Sequence, residues 1–236
     1  MNIADKVLAE LEKYAAPGDV EFLGRFFKTG KGQYGEGDVF IGVRVPKTRI
    51  VAKLFKDLPA EELETLLENP IHEIRLCAVI IMADEAGRAD EQRRKTLYDL
   101  YLKRTDRINN WDIVDTSCRD IVGGYLLRHP EEMDILKKLA RSKSLWERRI
   151  AMVSTWQFIR VKKFGPTFEI AEMLLHDKED LMHKAVGWML REVEKRDAAP
   201  VRAFLEKHAS DMPRTALRYA IEHFDPEERR YFMQLR

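Results

Sequence analysis

The sequence has very few cysteines, and it has no long apolar run. Cys77 and Cys118 are the only two cysteines, and both lie in apolar helical patterns, which argues against a disulfide framework. No apolar stretch approaches the roughly 18 residues that a membrane-spanning helix needs. The opening "MNIADKVLAELEKYAA" is amphipathic with interspersed acids, unlike a signal peptide. We therefore expect a cytoplasmic protein with no membrane partner.

An excess of charge of one sign is also lacking. The 41 basic and 40 acidic residues give a net charge of +1, so the total charge indicates no polyanionic partner. The charges nevertheless separate along the chain. Residues 43–56 contain lysine and arginine but no acidic residue, and residues 57–73 contain acidic residues but no lysine or arginine. Residues 145–165 and 169–180 repeat this pattern less strictly. If these stretches form alternate helices, the pattern predicts a basic inner groove and an acidic outer surface, as in nucleic-acid binders. Alternatively, the charges only solubilise both faces.

Helical periodicity covers nearly the whole chain, and proline stands at many of the predicted helix starts. Residues 29–46 are the exception, because this glycine-rich insertion predicts a loop or a small hairpin. The periodicity predicts helices over residues 3–15, 19–28, 46–57, 60–68, 71–84, 90–104, 110–128, 131–141, 145–161, 166–176, 180–196, 199–208, 212–223 and 226–234.

Several of these helices open with polar residues and then turn apolar. Aligning them places Arg75, Asp112, Arg149, Lys184 and Thr215 in one register, with spacings from 31 (215−184) to 37 (112−75) residues. Periods of this size predict a curved, HEAT-like α-solenoid in which pairs of helices stack on their neighbours. We expect one all-α domain over residues 1–236, and the alternative is an irregular helical bundle.

The familiar catalytic motifs are missing. "HEIRL" (72–76) begins like a zinc-protease helix, but Leu76 stands where the second metal ligand would be. "GKGQYGEGD" lacks the Lys-Ser/Thr ending of a phosphate loop, and no nucleophile elbow occurs. The six histidines show no metal-ligand spacing. We therefore predict no metal and no cofactor.

The helix that follows "RINN" (107–110) has an unusual first turn. With Asn110 as N-cap, Trp111 and Asp115 lie four residues apart on one helical face, and Asp115 falls at the edge of the buried arc. Asp112 is nearer the start, where the helix dipole explains a carboxylate. A half-buried carboxylate beside an indole either forms a structural ion pair or performs chemistry.

Two later helices favour the second reading. Arg149 occupies a position of the repeat register, and Trp188 lies four residues past Lys184, much as Asp115 lies three past Asp112. Adjacent repeats are therefore expected to bring Arg149 and Trp188 to the same surface as Trp111 and Asp115. Indoles hold cationic or aromatic groups, and arginine binds phosphate. A carboxylate stabilises positive charge on a sugar. The four residues therefore form a coherent set for one type of substrate.

The sequence resembles the AlkD family of bacterial DNA glycosylases, which are HEAT-like-repeat enzymes of alkylation repair. The resemblance covers most of the chain and rests on "FIGVRVPKTR" (40–49), "NNWDIVD" (109–115), "WERRIA" (146–151) and "KAVGWMLRE" (184–192). It departs mainly at residues 29–38 and at the short C-terminus, which concern the ends of a DNA groove.

The resemblance implies roles for particular residues. The catalytic carboxylate falls on Asp115, and the functional indoles fall on Trp111 and Trp188. The implied DNA contacts are Arg149, Arg191 and Arg49, with Lys184 and Arg148 on the same basic helices. Lys28, Lys31 and Tyr34 of the insertion either touch DNA or belong to a loop that only covers the N-terminal helices.

The reaction implied is hydrolysis of the N-glycosidic bond of N3- or N7-alkylated purines in duplex DNA. We expect a monomer, because a curved solenoid of this length can act alone. Asp115 would stabilise the oxocarbenium ion and orient water. The family grips the deoxyribose of the lesion between indoles without extruding the base, and we expect the same here. The alternatives are a non-catalytic binder of DNA structure, which would need no Asp115, and a protein-binding scaffold, which would not explain the layered charge.

Overall fold

The computed structural model describes residues 2–235, and within them the protein is all-α. The predicted fold class is confirmed. None of the helices in this range is long and apolar enough to cross a membrane. Cys77 and Cys118 are buried, and neither forms a disulfide. The chain divides into two compact units, Met1–Ile121 and Val122–Arg236, and each is described by itself.

The first unit is built around one buried helix. Its helices are α1 (Ile3–Glu12), α2 (Pro17–Phe26), α3 (Val45–Ala52), α4 (Ala60–Leu67), α5 (His72–Ala86), α6 (Glu91–Lys103) and α7 (Trp111–Cys118). Helix α5 packs against α3, α4 and α7. Its sequence is apolar on nearly all sides, which suits a helix that is surrounded by others.

The second unit has a corresponding centre in α13. Its helices are α8 (Gly124–Arg128), α9 (Asp134–Ala140), α10 (Leu145–Ser154), α11 (Trp156–Arg160), α12 (Gly165–Met173), α13 (Asp180–Glu194), α14 (Ala198–His208), α15 (Arg214–Ala220) and α16 (Pro226–Gln234). Helix α13 packs against α10, α14 and α15. Its hydrophobic face is formed by residues three or four apart, among them Met182, Val186 and Val193.

The predicted repeat register coincides with the stacked helices. Its five positions fall in α5, α7, α10, α13 and α15, and α5–α7, α10–α13 and α13–α15 are in contact. The layered helices that the register predicted are therefore present within each unit. The curvature of the solenoid and its unity as one domain stay predictions.

Two long predicted helices are interrupted. The helix expected over 110–128 contains a π-helical segment, Arg119–Gly123, before it continues as α8. At Gly123 an added Cβ would lie 2.2 Å from the Ser154 carbonyl oxygen, so this turn needs glycine for close backbone approach. The helix expected over 145–161 divides at Thr155, whose hydroxyl donates to the Met152 carbonyl at 2.7 Å.

The insertion at 29–46 forms a loop that leads into α3, and the hairpin alternative is not observed. The carboxylate of buried Glu73 accepts hydrogen bonds from the backbone N–H groups of Ile41, Gly42 and Val43 at 3.0–3.2 Å. Gly42 has φ +85°, and a Cβ there would lie 2.3 Å from the Ala16 carbonyl oxygen. Glu73 therefore fixes residues 41–43 of the loop on α5.

A substitution in α13 tests the close packing of the second unit. At Gly187 an added Cβ would lie 2.4 Å from both the Ala216 carbonyl oxygen and the Tyr219 Cβ of α15. We expect Gly187→Ala to lower the free energy of unfolding by about 1–3 kcal/mol through overpacking, measured by urea denaturation. Gly165→Ala is the control, because nothing lies within 4 Å of its Cβ. Equal midpoints for the two variants would contradict this packing.

Candidate active site

The start of α7 is fixed from both sides. The side chain of buried Asn110 caps the helix by accepting from the Trp111 N–H at 2.8 Å, as the sequence predicted. Its amide nitrogen donates to Asp38 at 2.9 Å. The insertion loop and the first turn of α7 are thus joined, and this contact fixes the part of α7 from which the side chains of Trp111 and Asp115 project.

Beneath this turn lies a buried histidine between two carboxylates. His72 Nδ1 is 3.0 Å from Asp38 Oδ2, and His72 Nε2 is 2.8 Å from Asp112 Oδ2. The side chain of His72 is only 1% exposed. Because both partners are acceptors, both ring nitrogens must donate, and the ring is an imidazolium. Burial opposes this charge, but Asp112 and Asp38 outweigh it and raise the pKa of His72 to about 9.

Arg75 extends the network below the loop. Its guanidinium pairs with Asp38 and also donates to the carbonyl oxygens of Asn69 and Pro70. Burial pushes the pKa of Asp38 upward, yet hydrogen bonding from His72 and the charge of Arg75 hold it below its usual value. Two cations and two carboxylates therefore balance in the interior of the first unit.

The interpretation of Asp112 as a helix-dipole residue is incomplete. Asp112 does lie in the first turn of α7, and its Oδ1 accepts from the Ile113 N–H at 2.9 Å. Its other carboxylate oxygen, however, binds His72 of α5. The residue is buried because it ties α7 to α5, a contact over 40 positions in sequence that local periodicity does not reveal.

Aromatic rings form the next layer. Phe27 stacks on Trp111 with ring centroids 5.2 Å apart and on Phe40 at 5.2 Å. Phe40 in turn stacks on His72 at 4.5 Å. Phe26 meets Trp111 edge to face at 5.8 Å. The indole is therefore held in one orientation by rings from α2 and the insertion loop.

These layers line a cavity of about 440 Å³ in the first unit. Trp111, Asp115 and Arg49 all line it, so the structure brings together the three predicted site residues of this unit. The remaining lining residues are Phe22, Leu23, Phe26, Phe27, Phe40, Val43, Arg44, Val45, Pro46, His72, Glu73, Leu76, Asp112, Thr116 and Arg119. Buried side chains form its floor, and exposed Phe22, Phe26 and Arg49 lie at its rim.

The other predicted residues lie in the second unit. Trp188 is half-buried on α13, and Lys184, on the same helix, pairs with Asp180 at 2.7 Å. Arg149 is 5% exposed on α10 and donates to the Leu181 carbonyl oxygen at 2.5 Å. Their role at DNA stays a prediction.

Two further predicted DNA contacts, besides Lys184, are ion-paired within this unit. Arg148 Nε is 2.5 Å from Asp177 Oδ2, and its Nη2 donates to Asp177 Oδ1 at 3.2 Å. Its Nη1 donates to the carbonyl oxygens of Ser142 and Lys143. Arg191 pairs with Glu222. When such an arginine binds a DNA phosphate, the phosphate replaces its carboxylate partner.

The sequence reasoning missed His72 and Glu73. It considered them only as part of a failed zinc motif, and no group of three or more His, Cys, Asp or Glu in residues 2–235 is arranged to hold a metal ion. The useful signal was their position at the start of an otherwise apolar helix, where a buried charge requires partners. Lys28 and Lys31 remain exposed, whereas Tyr34 donates to the Phe26 carbonyl at 3.4 Å.

The family model of DNA alkylation repair enzymes matches residues 7–224, and the chain belongs to this family. This confirms the resemblance that the motifs indicated. The fold is similar to the solved structure of a predicted DNA alkylation repair enzyme from Enterococcus faecalis, with a TM-score of 0.71 at 17% identity over 90% of this chain and 97% of that chain. No sequence match was found among curated proteins.

The buried histidine predicts a particular dependence of stability on pH. The pKa of His72 lies above its ordinary value, so its contribution is full below about pH 6.5 and is lost as the pH rises through about 9. The free energy of unfolding of wild type should exceed that of His72→Gln most near pH 6.5. We expect this difference to shrink by about 3 kcal/mol toward pH 10. Urea denaturation across this range measures it.

Exposed His223 supplies the control for this experiment. His223→Gln should follow the wild-type pH profile, because no buried pair is removed. A constant difference between wild type and His72→Gln from pH 6.5 to pH 10 would contradict a buried imidazolium.

Proposed function

We propose that the protein is a DNA glycosylase that hydrolyses the N-glycosidic bond of cationic N3- or N7-alkylated purines in duplex DNA. Membership of the alkylation repair family supports DNA as the substrate. The observation that carries the proposal is one cavity lined by Trp111, Asp115 and Arg49. These are an indole, a carboxylate and a guanidinium, which suit the sugar, its developing charge and the phosphate.

The proposed reaction needs little acid catalysis. The alkylated purine is already a cation, so the C1′–N bond breaks with its electron pair passing to the base, which leaves neutral. The deoxyribose becomes an oxocarbenium ion, whose positive charge Asp115 stabilises as a carboxylate. Water then adds its oxygen to C1′ and loses a proton, which leaves an abasic site. This sequence requires neither a metal nor a cofactor.

The contacts at the floor of the cavity support different roles for the two aspartates of α7. Both aspartates line the cavity, but Asp112 is buried and bound to His72, whereas Asp115 is half-buried. Trp111, fixed by Phe27, would press on the deoxyribose and restrict its orientation. Arg49 would bind the DNA backbone at the rim.

The second unit is proposed to supply further contacts. Trp188 would grip the lesion nucleotide as the second indole, and Arg149, Arg191, Lys184 and Arg148 would neutralise phosphates. We propose that a monomer acts, and the resemblance implies that the base stays in the helical stack. The chemistry does not depend on the position of the base, since Asp115 acts on the sugar.

Asp115→Asn tests the proposal. It keeps the shape of the side chain and removes the charge, so we expect base release from methylated duplex DNA to fall by about 10²–10³-fold. Duplex affinity should change little. Asp134→Asn is the matched control, because the side chain of Asp134 is 94% exposed and does not line the cavity.

The same experiment distinguishes the alternatives. Duplex affinity that falls steeply with salt, with no base release by any variant, would indicate a binder of DNA structure. Absent or salt-insensitive DNA binding would favour the protein-binding scaffold. Equal release by wild type and Asp115→Asn would keep the activity but remove Asp115 from its role.

A further inference from the structure

We infer that the paired rings of Phe22 and Phe26 hold the deoxyribose of a nucleotide next to the lesion, on the same DNA strand. This inference rests on the proposed function and deepens it, because it extends the DNA site from the lesion nucleotide to its neighbour. The ligand is the sugar of a nucleotide whose base stays in the stack. The exposure of the two rings, their continuity with Trp111 and the charges beside them carry the inference.

The two phenylalanines form an exposed apolar surface on α2. Phe22 and Phe26 lie four residues apart on one face of the helix and are 46% and 51% exposed. Their rings stack with centroids 5.9 Å apart and planes 12° from parallel. Single exposed apolar side chains are common, but two large rings held together at the mouth of a cavity indicate a binding surface.

Neighbouring side chains fix the orientation of this ring pair. Arg44 lies over the Phe22 ring, 5.4 Å from its centroid, and Asp19 holds the guanidinium there through two hydrogen bonds of 2.7 and 2.8 Å. Phe26 contacts buried Phe27 edge to face at 5.1 Å. Because the rings are already ordered before DNA binds, their contact with a ligand costs little conformational entropy.

The ring pair continues the surface of the indole that is proposed to press on the lesion sugar. Phe26 meets Trp111 edge to face with centroids 5.8 Å apart, and Phe22 follows Phe26 at nearly the same spacing. Successive nucleotides of a duplex strand rise by about 3.4 Å along the helix axis. The row of rings from Trp111 to Phe22 is therefore long enough to reach from the lesion nucleotide to its neighbour.

The sugar is the part of the neighbouring nucleotide that suits these rings. Aromatic side chains stack on the bases of single strands, but in a duplex the base faces are covered by adjacent base pairs. The C–H groups of deoxyribose stay accessible and are apolar. The phosphate beside that sugar suits exposed Arg49, which lies at the rim of the same cavity within residues 43–56, where no acidic residue occurs. The rings therefore match the sugar, and Arg49 matches the phosphate.

Phe22→Ala tests the inference without requiring activity, because Phe22 stacks on Phe26 and its removal leaves the ring contacts of Trp111 in place. We expect affinity for unmodified duplex DNA to fall by about threefold or more, while the slope of log affinity against log salt stays unchanged, since an apolar contact releases no counterions. Arg49→Gln should instead make this slope shallower by about one. Tyr231→Ala is the control and should bind as wild type does, because Tyr231 is 48% exposed in the second unit and does not line the cavity.

The position of the contact is tested with three duplexes that carry 7-methylguanine at the centre, at the 5′ end or at the 3′ end of one strand. Phe22→Ala should slow base release by about threefold or more on the central lesion, and should have no effect on the duplex that lacks the contacted neighbour. Equal slowing on all three duplexes would overturn the contact. Should Phe22→Ala not fold, Phe22→Leu takes its place and should show the same pattern, and Phe22→Tyr, which keeps the ring, should restore binding.

The outcomes separate this inference from the proposed function. Unchanged duplex affinity and unchanged base release by Phe22→Ala would overturn the ring contact and leave the glycosylase intact. A shallower salt slope for Phe22→Ala would also overturn it, because the ring would then act on phosphate binding. Weaker duplex binding by Phe22→Ala at an unchanged salt slope, with no base release by wild type, would support the contact and overturn the glycosylase.

Discussion

The charged imidazole of His72, held between Asp38 and Asp112, is the interaction on which the rest of the site depends. It joins the insertion loop, α5 and α7, three elements that are separate in sequence. A buried ion needs every donor satisfied, and here both ring nitrogens have a carboxylate within 3.0 Å. Loss of either carboxylate would leave one buried ring nitrogen of His72 without an acceptor, so the three elements keep one relative arrangement.

That arrangement explains how a binding cavity forms in an all-α unit. The ring of Phe40 stacks on the imidazolium, Phe27 stacks on Phe40, and the indole of Trp111 stacks on Phe27. Glu73, the neighbour of His72, fixes the loop that supplies Phe40. The polar network therefore positions an aromatic layer above it, and the cavity lies against that layer. Asp115 reaches the cavity because Asp112 occupies the buried position one turn earlier.

Much of this could be predicted from local patterns, and the rest required tertiary contacts. Helical periodicity located the stacked helices, and the spacing of Trp111 and Asp115 placed them on one side of α7 because i and i+4 share a face. The π-helical turn at Gly123 and the ion pairs of His72 could not be read this way. Their partners lie 31 to 40 residues away (154−123 and 112−72), and local propensity carries no information about such contacts.

The most direct test is to identify the products that wild-type protein forms from duplex DNA treated with a methylating agent. Mass spectrometry should find free 7-methylguanine or 3-methyladenine and an equal amount of abasic sites in unbroken strands. Methyl groups lost while the purines remain attached to the DNA would show a different repair chemistry. DNA that is bound but unchanged would show that the cavity performs no hydrolysis. Either result would contradict a glycosylase built around Asp115.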